Sequence, residues 1–288
     1  MDLDATIAAC RALHVRFAEI IKREIALIKR HDIGLIVGDI PPLCFEIAAR
    51  VSIPSVAITN FTWNWIYRAH LGDYPAFLPL IEEMEGFYSK ATLALTLPYP
   101  CNMGIFPQQE PIPWIARASI LTKEEARSHF DLPQSANIVL LSFGGLGLRG
   151  LPWDKLKQLR EFHFVSTGET HLQESNLIVL SNAQSEYQDL VRSADVIVTK
   201  PGYGIVADAI AQRLPMLYTE RGVFPEYPRL VEALSDCAVA EFIPQDELMG
   251  GNLGPYLNSL LSREAKWPEV SLGGAQTAAK KILENFSL

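Results

Sequence analysis

Apolar residues recur at helical spacing from residue 4 to residue 30, at Ile7, Leu13, Phe17, Ile20, Ile21, Ile25, Leu27 and Ile28, with Lys29 and Arg30 at the end. This pattern predicts one long amphipathic helix. IGLIVGD then reads as a strand, PPLCFEIAARV as a helix opening after two prolines, and PSVAIT as a second strand. A helical stretch over residues 78–90 leads to a third strand, ATLALTL. Strands that alternate with helices imply a parallel sheet with right-handed crossovers. Pro98, Pro100, Pro107, Pro111 and Pro113 crowd residues 98–117, which therefore read as a linker and not an element.

Beyond it the pattern restarts with ANIVLLSFGG, the clearest strand in the chain. A helix after Pro152, strands at FHFVST and NLIVLS, a helix over 185–192 and the strand DVIVTK follow. Next come the helix behind DVIVTK, the strand PMLYTE, a helix over 226–234 and the strand AVAEFI, and helices over 246–261 and 276–285 close the chain. The expected organisation is an N-terminal Rossmann-like domain with its linker over residues 1–120 and a second, doubly wound domain over 121–288. Ligands are expected at the carboxyl ends of the strands, in a cleft between the two.

With 288 residues, the chain is long enough for two such cores. Hydrophobic residues at 49% and charged residues at 20% exclude a disordered chain. The net charge of −8 argues against a nucleic-acid partner. No apolar run is long enough to predict an integral membrane segment, and no apolar leader precedes the first helix. Cys10, Cys44, Cys101 and Cys237 form no CxxC pair and read as free thiols, which places the expected location in the cytoplasm.

The most informative stretch is DVIVTKPGYGIVAD, residues 195–208. A β-branched strand runs into a turn with Gly202 and Gly204, where the backbone can be approached as no Cβ would permit. The helix behind it starts with free amides and the positive end of its dipole. Lys200 adds a charge, and Asp208 stands about one turn in, where a carboxylate can accept from ribose hydroxyls. A phosphate or diphosphate is the expected occupant. The alternative, an ordinary strand-to-helix turn with an acid on its helix, stays open on these residues alone.

Gly145, Gly147 and Gly150 also spell GxGxxG, with Glu169 about 20 residues on. In a dinucleotide fingerprint the third glycine packs inside the helix, whereas here Pro152 reads as the first helical residue, after Gly150. The glycines are read instead as a tight loop at Gly144 and Gly145 that lines the cleft. Asp2 and Asp4 spell DxD only at the N-terminus, where helix capping accounts for them, so no metal site is assigned. Asp39 ends a strand and is the candidate base, with capping of the helix after Pro41 and Pro42 as its structural alternative. Asn60 and Trp63 follow a strand end, as an aromatic acceptor-side wall or as core.

Four strings together, GDIPPLCFEIAARVSIPSVAITNFTWNWIY, VLLSFGGLGL, DVIVTKPGYGIVADAIA and LYTERGVFPEYPRL, resemble the GT-B glycosyltransferase superfamily. Within it the chain is similar to family 28-like proteins and to the glycosyltransferase-like half of L-arabinokinases. The resemblance implies two Rossmann-like domains and a nucleotide-sugar, a UDP-sugar by expectation, held mainly by the C-terminal one. It implies no cofactor, a sugar or glycolipid acceptor, and metal-independent inverting transfer of a hexosyl group. Asp208 falls where the acid of the bacterial peptidoglycan N-acetylglucosaminyltransferase binds ribose, one methylene shorter than the usual Glu. FPEY matches the place where such enzymes contact the donor sugar, which implies Glu226 and, to a lesser extent, Tyr227. Thr199, Lys200, Gly202, Tyr203, Gly204 and Arg221 complete the donor set, with Lys200, Arg221 and the helix amides facing the leaving diphosphate.

Such proteins begin with a strand and a loop of glycine and histidine, whereas this chain starts at the long helix. The resemblance therefore implies an incomplete N-terminal domain that lacks the usual source of a base. An unpaired edge on the IGLIVG strand is the physical consequence, to be covered by a second copy or a complementing chain through the N-terminal region. Two other functions stay open. One is a noncatalytic nucleotide-sugar-binding or interaction subunit of a split transferase. The other is a GT-B relative such as a nucleotide-sugar epimerase or the sugar-binding half of a kinase, the chain having no GxxxxGK[ST] loop of its own.

Overall fold

The amphipathic N-terminal segment forms two helices, α1 (Leu3–Val15) and α2 (Phe17–Arg30), where the periodicity alone predicts one. Asp2 caps the first by accepting from the Ala5 amide at 3.0 Å. The break at Arg16, whose amide turns back to the Leu13 carbonyl, lets two apolar stripes follow two different clusters. Ile7 joins Phe61, Ile66, Tyr67 and Phe77, whereas Ile21 and Ile28 join Ile47. One straight helix would rotate one stripe off its cluster. The computed structural model describes residues 2–143, 151–169, 171–181, 186–264 and 266–286.

The chain divides into two units. The first comprises Met1–Ile115, Gly222–Arg229 and Gly273–Leu288, the second Ala116–Arg221 and Leu230–Leu272. In the first, β1 (Ile36–Gly38), β2 (Ser55–Thr59), β3 (Leu93–Thr96) and β4 (Gln109–Pro111) lie in that order, every pair parallel. Helices α3 (Leu43–Arg50), α4 (Trp63–Arg68) and α5 (Leu78–Tyr88) make the crossovers. β1 is an edge strand with only β2 beside it among the described residues, and Val37 is half exposed there.

Residues 98–117 are more than a linker. They contribute β4 and bury Cys101, Met103, Phe106, Ile112 and Trp114. β4 is an edge strand, the position in a sheet that tolerates Pro111. The last helix, α13 (Gly274–Phe286), groups with this unit, its Gly274 amide donating to the Trp114 carbonyl at 2.9 Å. A Cβ on Gly274 would lie 2.1 Å from the Pro113 carbonyl oxygen, so only glycine permits this approach.

The second unit holds β5 (Asn137–Ser142), β6 (Phe162–Gly168), β7 (Leu172–Glu174), β8 (Leu177–Ser181), β9 (Val196–Thr199), β10 (Met216–Tyr218) and β11 (Ala240–Phe242). Their order is β11-β10-β9-β5-β6-β8-β7, parallel except for β7 against β8. The helices are α6 (Lys123–His129), α7 (Trp153–Leu156), α8 (Tyr187–Ser193), α9 (Tyr203–Gln212), α10 (Tyr227–Cys237), α11 (Gln245–Gly250) and α12 (Gly254–Ser262), with α10 beginning in the segment that groups with the first unit. Pro152 is the residue before α7 and not its first helical residue. The helix expected over 246–261 is interrupted at Gly251, whose φ of 79° ends α11 and whose missing Cβ leaves room for Lys155. Val139, Leu141, Phe164, Val196, Val198 and Leu217 fill the sheet core. Winding proceeds from β5 toward β6 on one side and from β9 toward β10 on the other. The carboxyl ends of β5 and β9 thus flank a topological switch point, where open α/β sheets hold ligands.

Candidate functional site

Thr199, at the end of β9, is buried, and its hydroxyl donates to the Ser142 carbonyl at the end of β5. The Ser142 hydroxyl in turn bonds the Tyr187 hydroxyl on α8. These contacts fasten the two strand ends on either side of the switch point. Lys200 follows, exposed and with no ion-pair partner among the described residues. Gly202 is extended at φ −131°, ψ 154°, and caps α9 with no side-chain bond to its first amides. Tyr203 is the first helical residue, half-buried, and Gly204 is exposed. A Cβ on Gly202 or Gly204 would meet no atom within 4 Å, and neither has a positive φ. Glycine at these two positions leaves open space over a helix N-terminus that the protein's own packing does not require.

Asp208, one and a half turns into α9, is 2% exposed. Both of its oxygens are taken by one residue: the Arg117 amide donates to Oδ1 at 2.8 Å and the Arg117 guanidinium to Oδ2 at 3.1 Å. The arginine side chain is 63% exposed, so its remaining donors face solvent. Burial pushes the Tyr187 hydroxyl above its ordinary pKa, with the Asp208 charge adding and Arg117 opposing. Ser142, Tyr187, Asp208 and Arg117 thus form a polar group at the carboxyl end of the sheet. Arg117, Ser142 and Tyr187 are not among the residues the sequence singles out, because their only signal is contact with groups distant along the chain.

Other candidates are placed apart from these. Arg221 closes the segment of the second unit that follows β10, whereas Glu226 and Tyr227 group with the first. Gly144 and Gly145 lie outside the described residues. In the first unit Asn60, just after β2, is buried and its amide donates to Glu226 Oε1 at 2.7 Å. Glu226 is 2% exposed. Burial, and less strongly the Glu226 charge, push the Cys101 thiol up to about 12, with Arg229 opposing. Trp63 opens α4 edge-on to Phe61 and stacked on Tyr67, at centroid distances of 5.3 and 5.6 Å.

Asp39 is exposed after β1, and the protein around it displaces enough water to raise its pKa from the ordinary carboxylate value. It does not cap α3, whose cap is Pro42 without a side-chain bond. Its neighbour Ile40 has φ 73°, an outlier for a β-branched residue, and the Ile40 carbonyl accepts the buried Tyr88 hydroxyl at 2.6 Å. No disulfide joins any of the four cysteines. Among the described residues no group of three or more His, Cys, Asp or Glu is arranged to hold a metal ion, and no helix is long and apolar enough to cross a membrane.

Two units of parallel α/β structure, one with its switch point at a glycine turn, make up the fold of the GT-B glycosyltransferases, with two Rossmann-like domains. The chain is 28% identical over 278 residues to the L-arabinokinase of Arabidopsis thaliana, a match that covers 93% of this chain and 26% of that protein. It thus spans about a quarter of that relative's length. Among solved structures it is similar to the glycotransferase of kitacinnamycin, with a TM-score of 0.62 at 16% identity over 89% of this chain and 75% of that one. A UDP-glucosyltransferase from Polygonum tinctorium that glucosylates indoxyl gives a TM-score of 0.59 at 12% identity, covering 97% of this chain and 82% of that one. No protein-family model matches the chain.

Proposed function

We propose that the chain is a nucleotide-sugar-binding protein of the glycosyltransferase class, and that the turn from Lys200 to Gly204 receives the diphosphate of a UDP-sugar. The observation that carries this reading is the open space at Gly202 and Gly204 above the uncapped amides of α9. Helix amides, the dipole and Lys200 supply positive potential there without a metal. The Polygonum relative, a UDP-glucosyltransferase by name, supports uridine as the base. Asp208 reaches the nucleotide through Arg117, which it orients, or through a ribose hydroxyl that shares its oxygens. Transfer to an acceptor, with inversion at the sugar carbon, falls to Asp39 as base, its raised pKa bringing it nearer the range in which a base works at neutral pH.

Calorimetric titration with UDP and with NADH tests the reading. Heat of binding is expected from UDP alone, and an absence of uridine nucleotide binding sinks it. Asp208→Ala is expected to weaken UDP binding by about 1–3 kcal/mol, the worth of a charged hydrogen-bond pair. Asp39→Asn is expected to abolish sugar transfer and leave UDP binding intact.

A second reading, an interaction subunit, is favoured by the open edge of β1 with Val37 half exposed. A second copy or a complementing chain would pair with that edge. Light scattering is expected to show a dimer at high concentration, and a monodisperse monomer counts against it.

A further inference from the structure

At the other end of the same sheet, below the amino ends of β9 and β10, lies a cavity of about 130 Å³. Lys123 opens α6, Arg192 is in the last turn of α8, and Gln212 and Arg213 end α9; all four line the cavity together with Asp195. The one acid is already neutralised. Asp195 Oδ1 receives Lys123, and Oδ2 receives the Arg127 guanidinium and the Ile138 amide, both at 2.6 Å. Arg192 spends only its Nε on a protein carbonyl, that of Leu121. Neither Arg192 nor Arg213 has an acidic partner among the described residues, which leaves two cations lining a small, partly open pocket. Arg213 holds φ 52°, ψ 46°, the left-handed helix end that favours glycine, so the backbone gives no reason for an arginine there.

Gln212 adds an independent requirement. Its Nε2 donates to the Gln188 carbonyl at 3.0 Å, which fixes the amide orientation because the flipped group would set oxygen against oxygen. Its Oε1 is then buried with no donor. A buried acceptor without a donor is costly, so an occupant that offers both negative oxygens and a hydrogen-bond donor suits this cavity best. A cavity of this size, about four water volumes, admits one tetrahedral group. Hydrogen phosphate meets both demands, with bare oxygens for the guanidinium groups and its P–OH for Gln212 Oε1. Sulfate, which carries no proton near neutral pH, meets only the first.

We propose that this cavity is a second anion site, separate from the turn at Gly202, and that it takes a singly protonated phosphate group, either inorganic phosphate or a phosphate monoester. The test is calorimetric titration of the full chain with inorganic phosphate, methyl phosphate and sulfate near pH 6, where a monoester with a second pKa of about 6 still carries a P–OH on a large fraction of its molecules. Phosphate is expected to bind at least tenfold more tightly than sulfate, and Gln212→Leu is expected to erase that preference. Arg213→Gly removes the guanidinium while suiting the left-handed backbone. Its melting temperature should therefore not fall, and its phosphate affinity should drop at least tenfold. With the turn at Gly202 filled by saturating UDP, phosphate should still bind. Binding of inorganic phosphate alone assigns the free ion, and equal binding of methyl phosphate assigns a phosphate carried on a larger molecule. Equal affinity for sulfate, or phosphate binding unchanged in Arg213→Gly, overturns the proposal.

Discussion

Replacing Gly204 with alanine separates the needs of the fold from those of a ligand. Gly204 is helical, exposed, without a positive φ, and its added Cβ would touch no atom within 4 Å. The unfolded chain loses freedom on the change and the native backbone accepts it, so stability should rise by about 0.5–1 kcal/mol. For a unit of this size that is a gain of roughly 1–4 °C in melting temperature. Binding should move the other way. A helical Cβ tilts toward the N-terminus, here toward the proposed diphosphate. An amide bond to phosphate needs about 2.9 Å, whereas a methyl carbon holds neighbours off at about 3.5 Å. Losing one charge-assisted bond is worth about 1.5–3 kcal/mol, a roughly ten- to hundredfold loss of UDP affinity. Gly86 in α5 is also exposed and also has nothing near its missing Cβ, so Gly86→Ala should stabilise without touching nucleotide affinity. Differential scanning calorimetry and UDP titration on the two variants read both effects. If Gly204→Ala binds UDP as the parent does, the open space is not ligand space and the site has been misplaced.

Gly274→Ala drives a methyl into the Pro113 carbonyl and weakens the amide bond to Trp114; chemical denaturation should show a loss of about 2–4 kcal/mol, and a neutral result would mean that α13 does not dock at this spot. Burial pushes Glu46 up in pKa, but bonds from Lys90 and Arg50 outweigh it and leave the carboxyl below the ordinary glutamate value. The folded state therefore binds this proton less readily than the unfolded chain. Its stabilising contribution is present above that ordinary value and fades as pH falls through the lower folded one. Glu46→Gln should flatten that limb of the stability curve in denaturant melts between pH 3 and pH 6, a range of about 1–2 units either side of the ordinary glutamate value, and an unchanged limb would contradict the pairing.

Some of this protein is written locally. The runs IVLLS and VIVT become central parallel strands because β-branched and large apolar side chains suit burial on both faces, and both lie where the pattern puts them, as β5 and β9. The glycine turn and the start of α9 are equally local, since cap, turn and dipole depend on neighbouring residues only. A T-x-x-E capping box at Thr122 and Glu125 starts α6 by the same kind of rule, although the apolar spacing there gives no helix.

What the tertiary structure decided depends on groups far apart in sequence. Asp208 is engaged by Arg117, 91 positions earlier, and Asn60 by Glu226, 166 positions later. The proline-rich stretch is a strand because β3 offers it a partner, and the first helix breaks because two clusters pull its stripe in two directions. The physical reason is one of range. Periodicity, turn chemistry and capping act over a few residues and can be read along the chain, whereas the partner of a buried polar group is set by which remote segment the packed sheet brings beside it.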